Sequence, residues 1–491
     1  MSEARAVFRN TGALASAQII ERVANAVLLF ALARALGAEG LGVYAGALAY
    51  YALIAVGAEL GATTFLVREV SRARERTNEY LVHLGVLAAA ACTLVGGVVV
   101  AVVPFLGFTP TLATAISLVM AATIPGALNA IQEGVFVAHQ KAHIRTVVTF
   151  LGALFNVAAT LALLASGAGV LAALTVFVVT QYLVAVALLF SVNRWLMPIR
   201  GPFSARTARL MLGRMKEFIG SSLLGTLFSR PEIIILTLVA SEAEVGYYAG
   251  ALKVADLFAF LPATFAINLF PVLSRARSEG RERTQEIQDK ALRFMLTCAL
   301  PVTAGTLVLA PELVPLAYGD GFEPAVPVLQ ILAFNLCLYA VFELFWRVLS
   351  ARDQQGAVLR VQAVTSVTRL GSGFALTAAF GAVGAAVSAV ANLVLHDVLL
   401  ARRLHRDGTR LHLARIVWRP AAAAALMGAV AWIIAARLGV IAAAALAAVL
   451  YLVLAVALRA LSRSDLELLR RRRAPGRVVD RPPGSPDNPP A

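Results

Sequence analysis

Long apolar runs, broken by short polar segments, recur from one end of the chain to the other. An α-helix rises 1.5 Å per residue and the hydrocarbon core of a bilayer is about 30 Å thick, so a run of about twenty apolar residues is long enough to cross. Fourteen such helices are predicted. The first six cover 11–34, 41–67, 79–103, 111–138, 144–165 and 169–192. After a polar gap, six more cover 218–240, 245–270, 291–310, 326–349, 358–380 and 382–401, and two others cover 416–436 and 440–458. The first run carries Glu21 and Arg22 and is too long for a cleavable signal, so it is expected to be retained.

The polar segments alternate in charge. One set carries Arg68, Arg72, Arg74 and Arg76, then Lys141 and Arg145, then Arg275, Arg277, Arg281 and Arg283, then Arg402, Arg403 and Arg406. The intervening loops at 37–40, 104–110, 166–168, 241–244 and 311–324 contain no Lys or Arg. Lys and Arg resist translocation, which puts the basic loops and both termini in the cytoplasm and the chain in the cytoplasmic membrane.

A duplication underlies this alternation. Gly42-Val43-Tyr44-Ala45-Gly46-Ala47-Leu48 returns as Gly246-Tyr247-Tyr248-Ala249-Gly250-Ala251-Leu252, and Ser71-Arg72-Ala73-Arg74 returns as Ser274-Arg275-Ala276-Arg277. An Arg-Glu-Arg-Thr run follows each, at 74–77 and 281–284. Six predicted helices separate the copies, so both enter the membrane in the same direction and the repeat is parallel. The expected fold is all-α and integral to the membrane: two parallel six-helix lobes around a central cavity, at 1–192 and 214–402, with helices thirteen and fourteen at 403–461. Residues 193–213 form an inter-lobe linker, lying along the interface or irregular in solvent. A basic and then Pro-rich tail fills 462–491. The small residues of the motif predict a seam where a neighbouring backbone comes close, with Tyr44 at the membrane interface.

Composition narrows the function. The 491 residues are 59% hydrophobic and 14% charged, against about 45–50% and about 25% in soluble domains. A net charge of +15 would suit nucleic acid, but the Arg residues lie in short clusters between apolar runs, the pattern of loops facing an anionic leaflet. Nucleic acid is excluded on that basis. Cys92, Cys298 and Cys337 are far apart in sequence, so no metal or disulfide framework is expected. No phosphate-cradling Gly-Lys-Ser/Thr loop is present, and the Lys/Arg-free loops are too short for a soluble active site, so no catalytic residues are expected.

Candidate chemistry therefore lies in charges at membrane depth, where each costs about 2.5–3.5 kcal/mol on insertion scales. Arg22 falls about 16 Å along predicted helix one. Arg230, Lys253 and Arg369 lie inside predicted helices seven, eight and eleven, with Glu59, Glu232 and Asp256 as acids at comparable depth. Pro231 should kink helix seven between Arg230 and Glu232. Lys253 and Asp256 are spaced to neutralise each other, and Glu343 and Arg347 to form an i,i+4 ion pair. Glu133, His396, Asp397 and Arg437 are expected to snorkel from span ends, and Arg34 sits at the Lys/Arg-free mouth of helix one.

Several strings resemble bacterial polysaccharide flippases of the multidrug/oligosaccharidyl-lipid/polysaccharide exporter superfamily. These are Glu59-Leu60-Gly61 with Val67-Arg68-Glu69-Val70, Arg230-x-Glu232, Val245-Gly246-Tyr247-Tyr248-Ala249 with Lys253, and Phe270-Pro271-Val272-Leu273-Ser274. Glu59 and Glu232 stand where that family more usually has Asp. The resemblance implies translocation of an undecaprenyl-pyrophosphate-linked oligosaccharide by alternating access. Arg22 and Lys253 would hold the pyrophosphate, and Arg230 and Arg369 would add positive potential. Glu59, Glu232 or Asp256 would couple movement to H+ or Na+, with no other cofactor. Expected partners are the lipid-linked oligosaccharide, membrane lipids, a polysaccharide polymerase and glycosyltransferases. The alternatives are an ion-coupled drug or metabolite exporter of the same superfamily, or a membrane polysaccharide polymerase or ligase.

Overall fold

The computed structural model describes residues 2–458, apart from 60, 200, 217, 220–230, 279, 410 and 411, with side chains described from Val23 onward except at 58, 260, 261, 263, 264, 267, 268, 271, 277, 278, 281 and 436. Helices account for almost all of the described residues. Nine are long and apolar enough to cross a membrane, or ten if the bent pair Pro110–Met120 and Thr123–Ala138 counts as one span. Two of the nine exceed any bilayer: 50 residues over Val23–Arg72 and 52 over Gln355–Arg406. Each breaks at a glycine of positive φ, Gly37 at 70° and Gly381 at 55°. A left-handed residue costs glycine nothing, so the chain turns there without strain.

Seven helices form the first lobe: α1 (Ser2–Glu59), α2 (Ala62–Arg72), α3 (Thr77–Val102), α4 (Pro110–Met120), α5 (Thr123–Ala138), α6 (Ala142–Ala165) and α7 (Val170–Trp195). The linker that follows ends in α8 (Ala205–Arg214). The second lobe comprises α9 (Glu232–Val239), α10 (Glu242–Asp256), α11 (Phe260–Ser278), α12 (Arg281–Tyr318), α13 (Ala325–Leu332), α14 (Asn335–Ala351) and α15 (Gln355–Arg406). Last come α16 (Leu413–Leu438) and α17 (Val440–Ala457), packed on α12 through the buried residues Leu309, Met427 and Tyr451. The basic cluster and tail at 462–491, like residues 220–230 of predicted helix seven, lie outside the described residues.

α15 is an antiparallel hairpin. Ser372 and Ser388 meet hydroxyl to hydroxyl at 3.0 Å, Asn392 donates to Ser372 at 2.8 Å, and Thr368 donates to the Asn392 side-chain oxygen at 2.9 Å. These pairs are spaced evenly about the turn at Gly381, as two arms folded on each other require. In hydrocarbon each hydroxyl and amide needs a protein partner, and the facing arm supplies it.

The linker is helical in its last part. Ser204 caps α8 by accepting from the Thr207 amide at 3.4 Å, while Ala208 and Met211 are buried against the first lobe. The Ser204 amide donates to His83 Nε2 at 3.0 Å, and Phe203 stacks on the His83 ring. One end of the linker is thereby tied to α3.

The duplicated unit recurs in the backbone as well as in the strings. Two residues beyond the ends of α5 and α14 stands a residue of positive φ that is not glycine, Gln140 at 58° and Asp353 at 59°. Each is followed by the same closing bond, from the Lys141 amide to Phe136 O at 2.8 Å and from the Gln354 amide to Leu349 O at 3.0 Å. These six-residue closures satisfy carbonyls that a helix end leaves bare.

The repeated heptads pack on each other. A methyl group built on Gly42 would fall 1.7 Å from Glu242 O, and one on Gly246 would fall 2.0 Å from Ala38 O. The predicted seam therefore exists, and the partner of each copy is the other copy. Tyr44 departs from expectation: it is 5% exposed, in the buried core beside Asn156 of α6, rather than at the interface. Two positions from Gly42 and Gly46, it points about 200° round α1 from the seam and so packs into its own lobe.

Gly246→Ala or Gly42→Ala should therefore force the lobes apart and destabilise the protein by about 1–3 kcal/mol, the usual cost of overpacking. Gly97→Ala, inside α3 where an added methyl meets nothing within 4 Å, should keep or slightly raise stability. Thermal unfolding in detergent separates the two outcomes.

Candidate functional site

Polar contacts reinforce the glycine seam, and they lie at the end of the bundle that carries the Lys/Arg-free loops. The Tyr50 hydroxyl donates to Thr237 Oγ1 at 3.1 Å, since Thr237 already donates to Ile234 O. Arg34 donates to Leu316 O, and Thr109 donates to Glu242. Glu244 accepts from the Ala382 amide at 2.6 Å, capping the α15 turn. Towards the basic end α2 packs against α3 and α5, and α11 against α12 and α14, while Phe218, at the start of predicted helix seven, lies on Gly61, Phe65 and Arg68. Among the described residues, the side-chain hydrogen bonds between the lobes lie at the Lys/Arg-free end, and the helices that make the seam continue towards the other.

Those helices carry the charges at depth. Lys253 and Asp256 are half-buried in the last two turns of α10, about 10 Å and about 15 Å beyond Gly246 by the helical rise. Glu59 ends α1, about 26 Å beyond Gly42 on the same count. Its carboxylate accepts from the Thr63 amide at 3.0 Å and so caps α2 across the break at Gly61, where φ is 70°. Glu59 thus has a structural task as well as a charge.

Glu232 and Arg369 are brought together, which nothing in their local sequence announces. Arg369 Nε donates to Glu232 Oε1 at 2.5 Å, joining α9 to the first arm of α15. The carboxylate is 1% exposed and its Oε2 has no hydrogen-bond partner, while the guanidinium keeps 25% exposure. α9 starts directly after Pro231, whose missing N–H suits the first position of a helix. Arg230, on the far side of that proline, lies outside the described residues. Arg22 lies on α1, but its side chain lies outside the described ones as well. The described residues therefore place Lys253, Asp256, Glu59, Glu232 and Arg369 on helices that run from the seam towards the basic end.

Among the other charges, Glu343 and Arg347 form the expected pair, at 3.5 Å. Glu133 meets Arg145 at 2.9 Å, both about one-third exposed, and Arg437 is exposed. His396 and Asp397 do not snorkel. They are 8% and 7% exposed inside the second lobe, because the second arm of α15 lies against α14 at that level. Sequence position near a span end was a poor guide there, since the arm runs on as helix to Arg406. A cavity of about 320 Å³ opens elsewhere, at the basic end of the second lobe, lined by Thr284, Arg352, Gln354, Asp407 and Thr409 among others. No group of three or more His, Cys, Asp or Glu with metal-ligand geometry occurs among the described residues.

With this geometry in place, the chain can be set beside known proteins. It resembles a probable low-salt glycan biosynthesis flippase, Agl15, of Haloferax volcanii, with 27% identity over 202 residues, or 41% of this chain. The match spans 43% of that relative's length. In three dimensions it is similar to the lipid II flippase MurJ in an inward closed conformation, with a TM-score of 0.73 and 13% identity over 94% of this chain and 99% of that one. An inward-facing multidrug transporter of the MATE family superposes with a TM-score of 0.64 and 14% identity, over 80% of this chain and 96% of that one. At such identities these two likenesses speak to the fold. A family model described as "Polysaccharide biosynthesis protein" matches residues 31–327, from the Lys/Arg-free end of α1 to α13. The chain is thus a multi-pass membrane protein that belongs to the polysaccharide biosynthesis protein family.

Proposed function

We propose that this protein moves a lipid-linked oligosaccharide, carried on undecaprenyl pyrophosphate, across the cytoplasmic membrane by alternating access of its two lobes. One observation carries the reading. The lobes are joined backbone to backbone at the end with Lys/Arg-free loops, while the same helices present Lys253, Asp256 and Glu59 progressively further from that seam. Such a bundle is closed towards one leaflet, and ionisable side chains lie below the closure. A pyrophosphate in a low-dielectric chamber needs cationic, hydrogen-bonding partners, and a glycan needs a hydrated path. Lys253 and Arg22 bind the pyrophosphate on this reading, and Arg230 and Arg369 add positive potential.

The bonds that would have to break on opening are few and identifiable. They are the Tyr50–Thr237 hydrogen bond, the Arg34 contact with Leu316 and the Thr109 contact with Glu242, around the glycine crossing. None is a buried ion pair, so separating the lobes strands no charge. The basic loops and both termini face the cytoplasm, the protein catalyses no covalent step, and coupling to H+ or Na+ runs through Glu232, Glu59 or Asp256. Polymerase and glycosyltransferases act before and after it on the same lipid-linked glycan.

Arg22→Ala and Lys253→Ala, at normal expression, should each lower cell-surface glycan about tenfold or more, the value of one lost charge-assisted hydrogen bond. Full retention of the glycan in both variants removes the assignment. Arg369→Ala leaves the buried Glu232 carboxylate alone and should destabilise the protein by about 3–5 kcal/mol, read as a lower unfolding temperature in detergent. Glu232→Gln keeps a hydrogen bond to Arg369 and should melt near the wild-type temperature while losing ion-dependent transport.

A further inference from the structure

The residues that line the cavity at the basic end all fall between Leu273 and Thr409, so the second lobe alone encloses it, apart from the glycine seam. It also lies outside the hydrocarbon. α12 has 38 residues where about twenty cross a bilayer, and the cavity touches its polar start, at Thr284.

The duplication supplies an internal comparison. Thr77 and Thr284 close the two copies of the Arg-Glu-Arg-Thr string. His139 and Arg352 stand directly before the positive-φ residues Gln140 and Asp353, and Lys141 and Gln354 directly after them. In the first lobe these positions bond across the corner: Thr77 Oγ1 lies 3.0 Å from His139 Nε2, and Lys141 Nζ donates to Trp195 O, at the end of α7, at 2.9 Å. In the second lobe Thr284 turns back to Gly280 O at 3.0 Å, and Arg352 Nη1 donates to the Thr409 hydroxyl at 2.8 Å. Thr284, Arg352 and Gln354 then border the open space.

The polar groups there are of two kinds. A guanidinium carries five N–H donors, so Arg352 has more to offer than its bond to Thr409. Gln354 takes Arg403 Nε on its Oε1 at 3.0 Å, which leaves its amide nitrogen as a donor. Asp407 is the acceptor: its Oδ1 stands 3.5 Å from Arg403, and its Oδ2 is buried with no hydrogen-bond partner. An unmatched buried acceptor costs about 1–3 kcal/mol, and an occupant that donates to it would remove that cost.

We propose that this cavity binds a phosphorylated polyol, with its phosphate on Arg352 and Gln354 and a hydroxyl on Asp407. The guanidinium fork matches phosphate oxygens, and a hydroxyl donates to the carboxylate without adding charge. An ammonium in its place would share the cavity with Arg352 and face Arg403 as well. At about 320 Å³ the space is at the small end of ligand pockets, which run to about 1,000 Å³; it suits a glycerophosphate and is too small for an oligosaccharide. A soluble glycerol phosphate and the headgroup of phosphatidylglycerol present the same groups. Either one bridges the ends of α12, α14 and α15. The site is separate from the translocation path and stands whether or not the flippase reading does.

The test uses the full chain in neutral detergent and measures no translocation, so its failure is distinct from failure of the flippase assay. Labelled glycerol 3-phosphate should bind saturably, one molecule per chain, and raise the unfolding temperature. Arg352→Gln should weaken that binding about tenfold or more, the value of one charge-assisted hydrogen bond. Ala351→Leu keeps every polar group but adds bulk to the cavity wall; it should fold as the wild type does and lose the binding. Arg360→Gln, which changes an exposed base of α15 outside the cavity, should leave binding unchanged. Asp407→Ala should lose the preference for glycerol 3-phosphate over inorganic phosphate, since only the former brings a hydroxyl. Native mass spectrometry from nanodiscs of phosphatidylglycerol and phosphatidylcholine then separates the two sources. Phosphatidylglycerol kept by the wild type and shed by Arg352→Gln and Ala351→Leu assigns the site to the lipid. Equal lipid in all three, with glycerol 3-phosphate binding lost from the variants, assigns it to the soluble compound. Binding of neither probe, binding that survives both variants, or phosphoethanolamine held more tightly than glycerol 3-phosphate overturns the proposal.

Discussion

Two peptide backbones meet where Gly42 and Gly246 leave no side chain between them. The rest of the architecture depends on that approach. Without a hydrophobic driving force between helices in lipid, association relies on close van der Waals packing, and small residues allow it. A methyl at either position would sit within 2.0 Å of a carbonyl oxygen of the opposing helix. The crossing sets the distance at which Tyr50 reaches Thr237 and at which Thr109 reaches Glu242. Those bonds are the consequences of the seam rather than its cause.

The energetics divide the molecule into two kinds of contact. Within each lobe, buried polar groups find protein partners, as the Thr368, Ser372, Ser388 and Asn392 ladder of α15 illustrates. Between the lobes, the contacts near the seam are van der Waals packing and neutral or singly charged hydrogen bonds, which exchange readily for water. A protein built this way keeps its lobes intact while the junction between them opens. The Glu232–Arg369 pair belongs to the first kind, since both its helices lie in the second lobe. It anchors α9 there and costs nothing when the lobes part.

Much of this was legible in the chain before any coordinates. Apolar run length and the alternation of basic with Lys/Arg-free loops carried the class, the helical content and the repeat, because membrane crossing constrains every residue in a span. The Glu343–Arg347 pair was legible because helical periodicity puts such residues side by side. Partners far apart in sequence were not: Glu232 and Arg369 are separated by 137 positions, and no local pattern encodes that contact. That the two heptads were each other's partners could have been inferred, because repeats related by a two-fold axis meet on that axis. The depth of Asp397 was misjudged for a simpler reason. Distance from a predicted span end measures burial only when the helix stops there, and this one continues to Arg406.

The matching corners at Gln140 and Asp353 bear on how such a molecule would bend. Each holds its two helices through a main-chain bond that is indifferent to the side chain it carries, so the duplicated halves have drifted in residue while keeping the same joint. A joint clamped through its own backbone does not flex, and the helices it connects behave as one lever. Bending must then concentrate where the backbone bonds are interrupted, at Gly61 in the first lobe and at Pro231 in the second, with the paired glycines as the fulcrum between them.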